Sequence, residues 1–193
     1  IWMAANSHDS LDFAVKRKAY VATPFVSCDR TRETWTLAHE ISDDLGIPLV
    51  EDFDDWFASV LVIYVAESED KAYEEAQEAL DYHFFTAFGS MDLDTTALIP
   101  GHMSVKGLQS WIRGSASKKT GKSIRYPMAE AIENGTAIVG TPETCIELAK
   151  RQKEIGKRNV LLAMFQFGNL PQEKAAANLR LFATEVYPHI RNL

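Results

Sequence analysis

The chain has 193 residues, 46% of them hydrophobic and 24% charged, an ordinary globular balance with room for one sizeable domain or two small ones. A net charge of −7 and a pI near 5.2 argue against a nucleic-acid backbone or an anionic membrane surface as partner. No apolar run approaches the ~20 residues that span a bilayer, and residues 1–20 lack a signal-peptide pattern, so a cytoplasmic protein is the expectation.

The sequence opens on an apolar run, Ile1-Trp2-Met3-Ala4-Ala5, followed by the polar cluster Asn6-Ser7-His8-Asp9-Ser10. That is the pattern of a buried strand running into the start of a helix. Ala19 to Phe25 reads as a second buried strand ending at Pro24. Thr31 to Leu45 carries Trp35, Ala38, Ile41 and Leu45 at helical spacing, with Gly46 as a stop. Ser59 to Ala66 is continuously apolar, as a strand covered on both faces should be. A long helix follows from about Ser68, with Glu69 and Asp70 in its first turn, where the helix dipole favours negative charge.

Residues 89–134 interrupt this pattern with Gly, Ser, Thr and Lys in loops and a short amphipathic helix around 106–113. An insert of that length in a compact domain is usually functional, such as an active-site lid. Ala137-Ile138-Val139 is a short strand, and Thr141 and Pro142 are a good N-cap and first helical residue for a helix ending at Gly156. Asn159 to Phe165 is the fifth strand. A last helix begins near Pro171 and places Leu179, Phe182, Ala183 and Val186 on one face. Strands alternating with helices imply parallel βαβ units. They fit a small open sheet or a (β/α)8 barrel lacking its first strands, since a whole barrel needs about 250 residues.

Ala5 to Ser10 sits where a strand hands over to a helix, which suits an anion such as a phosphate. A plain cap with Ser7 or Asp9 at the N-cap position explains the same residues. The five histidines, His8, His39, His83, His102 and His189, show no metal-type spacing; His39 and His83 read as structural or surface residues. Cys28 and Cys145 read as buried free thiols. The stretch 115–122 has the wrong glycine spacing for a P-loop and reads as a solvated basic loop or a lid over an anionic ligand. Tyr82, Phe84, Phe85 and Phe88 form an aromatic patch, explained by core packing or in part by an apolar pocket.

With these segments placed, the chain resembles the C-terminal half of the bacterial luciferase-like flavin-dependent monooxygenases almost end to end. Ile1 to Ser7 followed by Ser10 resembles that family's fifth barrel strand and phosphate-binding turn. Val139-Gly140-Thr141-Pro142-Glu143 resembles the opening of its seventh helix. Phe165 to Pro171 and Leu181 to Pro188 resemble its eighth strand and terminal helix. The resemblance implies an α/β fold: residues 1–193 as the second half of a (β/α)8 TIM barrel, with 89–134 as a mobile-loop insert after the seventh strand. Reduced FMN would bind at the C-terminal mouth of the strands. Asn6, Ser7 and Ser10 would hold its phosphate, Phe25 would lie near the isoalloxazine ring, and Lys118, Lys119 and Lys122 would belong to a closing loop.

By the same resemblance the activity is a monooxygenase that uses reduced FMN and O2 on a small organic substrate, with a flavin reductase as electron supplier. A deazaflavin-dependent hydride transfer on the same fold is the alternative, as is a non-catalytic flavin-binding half-barrel protein. The family's first four strands are not in this sequence, and its catalytic positions lie there, so no catalytic residue is named. A start in mid-strand at Ile1 suggests a missing N-terminal half; otherwise a homo- or hetero-oligomer would close the barrel.

Overall fold

In the computed structural model, residues 1–87, Val105 and 128–193 are described. Five parallel strands form one sheet: β1 (Trp2–Ala4), β2 (Tyr20–Pro24), β3 (Ala58–Val65), β4 (Ala137–Gly140) and β5 (Val160–Met164). Alternating with them are α1 (His8–Lys16), α2 (Cys28–Leu45), α3 (Glu69–Asp81), α4 (Met128–Asn134), α5 (Pro142–Gly156), α6 (Gln172–Leu181) and α7 (Tyr187–Ile190). α3 continues as a π-helical segment over Tyr82–Ala87, and α6 does so over Phe182–Val186.

The helix starts follow local chemistry. The side chains of Ser7, Ser27, Ser68 and Thr141 each accept a hydrogen bond from the backbone N–H three residues on, capping α1, α2, α3 and α5. α2 ends on Gly46 at φ +63°, a left-handed closure that glycine adopts at no steric cost.

β3 is the centre of the sheet. Its even-numbered residues direct their backbone groups to one edge, where Phe25 N–H donates to Val60 C=O (3.0 Å) and Ala66 N–H donates to Gly140 C=O (3.1 Å). β2 and β4 therefore share that edge, β2 along 58–60 and β4 along 62–65. On the opposite edge β5 pairs with residues 58–62. Above it no strand continues among the described residues. The buried Asn178 of α6 takes its place, its amide donating to Ile63 C=O (2.7 Å) and its oxygen accepting from Val65 N–H (2.8 Å). A side chain thus completes the ladder that buried backbone groups require.

Side-chain parity assigns the two faces. Met3, Val21, Leu61, Ile63, Val65 and Leu161 point to the face covered by α1, α2, α5 and the Phe182–Val186 segment. Val62, Tyr64 and Met164 point to the other, where α3, α4, Phe167 and Leu170 cover the C-terminal half of β3 and β4. Right-handed crossovers account for this. Chain progress from β1 through β3 puts α1 and α2 on one face, and stepping back from β3 to β4 puts α3 and α4 on the other. On the lower part of that second face Trp2 is 41% exposed and Leu162 39%, and no helix among the described residues covers them.

Several boundaries differ from the sequence expectations. α2 starts at Cys28 rather than Thr31, because Ser27 caps it. On the last helix the inward residues are Ala175, Asn178, Phe182 and Val186, whereas Leu179 is 47% exposed and Ala183 is also exposed. The inward residues keep the three-and-four spacing of one helical face, and the polar Asn178, which bonds β3, takes the inward place that the apolar pattern assigns to Leu179. Residues 128–134, the end of the expected insert, are the helix α4. The helix expected around 106–113, the basic stretch 115–122 with Lys118, Lys119 and Lys122, and Phe88 lie outside the described residues. Both cysteines are buried free thiols, as expected.

Candidate functional site at the strand C-termini

All five strands are parallel, so their C-terminal ends share one rim, and the N-termini of α1, α2, α3 and α5 open onto it. In open α/β sheets ligands bind outside these ends, at the point where successive connections leave on opposite faces. Here that point lies between β2, followed by α2, and β3, followed by α3.

The β1–α1 turn holds three of the four expected site residues. Ser7 and Ser10 form a reciprocal capping box: Ser10 N–H donates to Ser7 Oγ (3.3 Å) and Ser7 N–H donates to Ser10 Oγ (3.1 Å). The hydroxyls lie 2.9 Å apart, and Ser10 Oγ also donates to Ser7 C=O at 2.9 Å. The cap expected of Ser7 or Asp9 belongs to Ser7, with Asp9 in the first turn. Asn6 accepts through its backbone C=O from Arg30 Nη2 at 3.1 Å. Arg30 also pairs with Glu33 at 2.9 Å. It stands in the first turn of α2, where the helix dipole disfavours a cation, and that misplacement is the sequence signal by which it could have been found.

Phe25, the fourth expected residue, follows β2 with φ +50°, a left-handed backbone uncommon outside glycine, asparagine and aspartate. Its ring packs edge-on against His83 (centroids 5.5 Å, 73°) and Phe84 (5.7 Å, 90°) of the π-helical segment. Of the two readings of His83, structural or surface, this packing bears out the structural one. Burial holds its imidazole below the ordinary histidine value. Of the rest of the aromatic patch, Tyr82 is exposed.

The N-terminus of α5 is already occupied. Glu69 Oε1 accepts from Thr141 N–H (3.2 Å) and Thr144 Oγ1 (2.5 Å), so the chain's own carboxylate sits where an anion would dock. Gly140, at φ +153°, permits this approach, since a Cβ there would stand 2.7 Å from Glu69 Oε2. Of the helix starts on the rim, the β1–α1 turn beside Arg30 offers hydroxyls and a guanidinium together.

A separate cleft of about 580 Å³ lies between α3 and α6. None of the expected site residues lines it. On its wall Tyr64 donates to Glu75 (2.7 Å), which also pairs with Lys174 (3.2 Å). Burial and then Glu75 push the Tyr64 phenol above its usual range. Burial opposes the ionised Glu75, but the bonds from Tyr64 and Lys174 overcome it and hold that carboxyl low. Among the described residues no group of three or more His, Cys, Asp or Glu could hold a metal ion, and no helix is long and apolar enough to cross a membrane.

No family model matches the sequence, and no curated protein matches it. Solved structures do. The oxygenating constituent of 3,6-diketocamphane monooxygenase from Pseudomonas putida, a type II Baeyer-Villiger enzyme in complex with FMN, superposes with a TM-score of 0.61 at 16% identity, over 98% of this chain and 48% of its own. EDTA monooxygenase from Chelativorans sp. BNC1 gives 0.56 at 14%, over 98% and 43%. The coenzyme F420 dependent tetrahydromethanopterin reductase from Methanopyrus kandleri gives 0.53 at 15%, over 98% and 50%. The likeness at these identities is one of fold. The chain spans about half the length of these structures.

Proposed function

We propose that this chain forms the phosphate-binding side of a luciferase-like flavin-dependent monooxygenase barrel, acting with reduced FMN and O2 on a small organic substrate. A flavin reductase would supply the electrons, and the rest of the barrel would come from a preceding half or from another chain. The observation that carries the reading is the β1–α1 turn on the strand rim, where Ser7 and Ser10 bond each other at a helix N-terminus and Arg30 bonds the backbone of the adjacent Asn6. The fold shared with an FMN complex and with an F420-dependent reductase supports a flavin or deazaflavin as the group bound.

The residues present fit such a group. A phosphate needs donors and positive potential, and this turn has two hydroxyls, a first turn of helix and a guanidinium. In this reading Ser7 and Ser10 exchange their mutual bonds for phosphate oxygens, and Arg30 turns from Glu33 and Asn6 toward the dianion. Phe25 gives the ring end an apolar wall and keeps water from it. The cofactor, when bound and reduced, supplies the oxygen-activating chemistry; the chain binds, orients and shields.

The test uses FMN and riboflavin side by side, since riboflavin lacks the phosphate. By flavin fluorescence, Ser7→Ala should weaken FMN binding about tenfold, the worth of one hydrogen bond to a charged group, and leave riboflavin binding unchanged. Loss of the cap should cost about 1 kcal/mol of stability, measured by urea unfolding. Equal affinity of variant and parent for FMN returns Ser7 and Ser10 to a purely capping role. Preference for a deazaflavin over FMN selects the hydride-transfer alternative.

A further inference from the structure

The cleft of about 580 Å³ between α3 and α6 has the volume of a small-molecule site and shares no residue with the phosphate turn. Its floor is the end of β3, where Tyr64, Val65, Ala66 and Asn178 are all buried. The side-chain polar atoms of that floor are engaged already. The Tyr64 phenol donates to Glu75, and the Asn178 amide bridges Ile63 and Val65. A ligand lying there meets apolar surface, extended along the wall by Ala177 and Leu181 of α6.

Six charged side chains line the cleft, and four of them pair with one another: Glu67 with Lys71, and Glu75 with Lys174 at 3.2 Å. The other two, Glu173 and Arg180, make no ion pair or side-chain hydrogen bond among the described residues. They stand seven residues apart on one face of α6. That is about 10 Å along a helix rising 1.5 Å per residue, beyond the spacing at which helical neighbours pair. Ala177, between them, contributes only a methyl group. The helix dipole favours this order of charges, carboxylate first and guanidinium last. It does not account for both being set over one cleft with an apolar floor.

We propose that this cleft binds a small elongated zwitterion of the ω-amino acid class, its ammonium at Glu173, its carboxylate at Arg180 and its alkyl chain over Ala177 and Leu181. The site is independent of the flavin reading. A guanidinium with free N–H groups takes a carboxylate through two parallel bonds. The Glu75–Lys174 pair, braced by Tyr64, ties α3 to α6 and sets the width of the cleft.

6-Aminohexanoate is the probe, with hexanoate, hexylamine and glycine as controls, titrated at low salt into the protein without flavin and followed by calorimetry. The probe should bind about fivefold more tightly than hexanoate or hexylamine, the upper end for one exposed ion pair. Glycine, whose charges are adjacent, should not bind. Glu173→Gln should lower the affinity for 6-aminohexanoate to that for hexanoate, and Arg180→Gln should lower it to that for hexylamine. Both side chains are exposed, so the variants should fold like the parent, which circular dichroism checks. Equal affinity for the probe and its singly charged controls overturns the proposal, as does an unchanged affinity in either variant or no binding at all. None of these results bears on the flavin reading, which the FMN and riboflavin comparison tests separately.

Discussion

At the scale of single residues, two buried groups set measurable costs. Asn178 satisfies two backbone groups of β3 beyond the stretch that β5 pairs. Asn178→Ala should cost about 3 kcal/mol, since each orphaned buried group costs about 1–3 kcal/mol, read as a lower urea midpoint. Cys145 is fully buried, and desolvation first, then Glu69, pushes its thiol up from 9.0 to about 12. Above pH 9 the unfolded chain releases this proton while the folded chain keeps it. Stability therefore falls as pH rises between about 9 and 12, by about 1.4 kcal/mol per unit. Comparing urea midpoints at pH 9 and 10, Cys145→Ala should show a shallower loss than the parent; an identical slope would contradict the buried neutral thiol.

At the scale of elements, capping and apolar runs were the legible part. Thr141-Pro142, Gly46 and the run 59–66 mark their elements without ambiguity, because each rests on a local backbone requirement. The turn with Asn6, Ser7 and Ser10 was legible for the same reason. What was illegible depends on partners distant in sequence: Arg30 reaching Asn6, Glu69 reaching across to α5, and the helix α3 crossing to the second face. The π-helical segments also escaped, since their wider turn leaves no compositional mark; Asn178 escaped because its two bonds to β3 make a polar residue the inward one. Gly168, at φ +54°, lies against Ala79 of α3. Gly168→Ala should destabilise by about 1–3 kcal/mol from backbone strain alone, and more from collision with Ala79 O, whereas Gly46→Ala, with nothing near its missing Cβ, should lose only the strain. Equal losses would show that the close approach is not under pressure.

At the scale of the molecule, the two faces of the sheet differ. One is covered along its length by helices. Among the described residues the other is covered near the rim and exposes Trp2 and Leu162 below it, with Trp2 joined to Tyr20 and Trp56 in an aromatic cluster (centroids 5.5–6.2 Å). A charge placed on the two faces should report the difference. Val21→Lys, on the covered face, should cost more than about 4 kcal/mol, while Leu162→Lys should stay within about 1 kcal/mol if nothing further packs there. A large loss for Leu162→Lys would mean that another segment or chain covers the face in solution, as closure of a barrel requires.

The Asn178 clasp also makes the Val65 amide a reporter. That N–H lies beyond the stretch that β5 pairs and donates to Asn178, so its protection against deuterium uptake comes from one side chain of α6. It should exchange through local lifting of α6, faster than the amide of Leu61 in the part of β3 that pairs with β5. The rate at this single site would therefore time how often the end of the chain lets go of the sheet, independently of global unfolding.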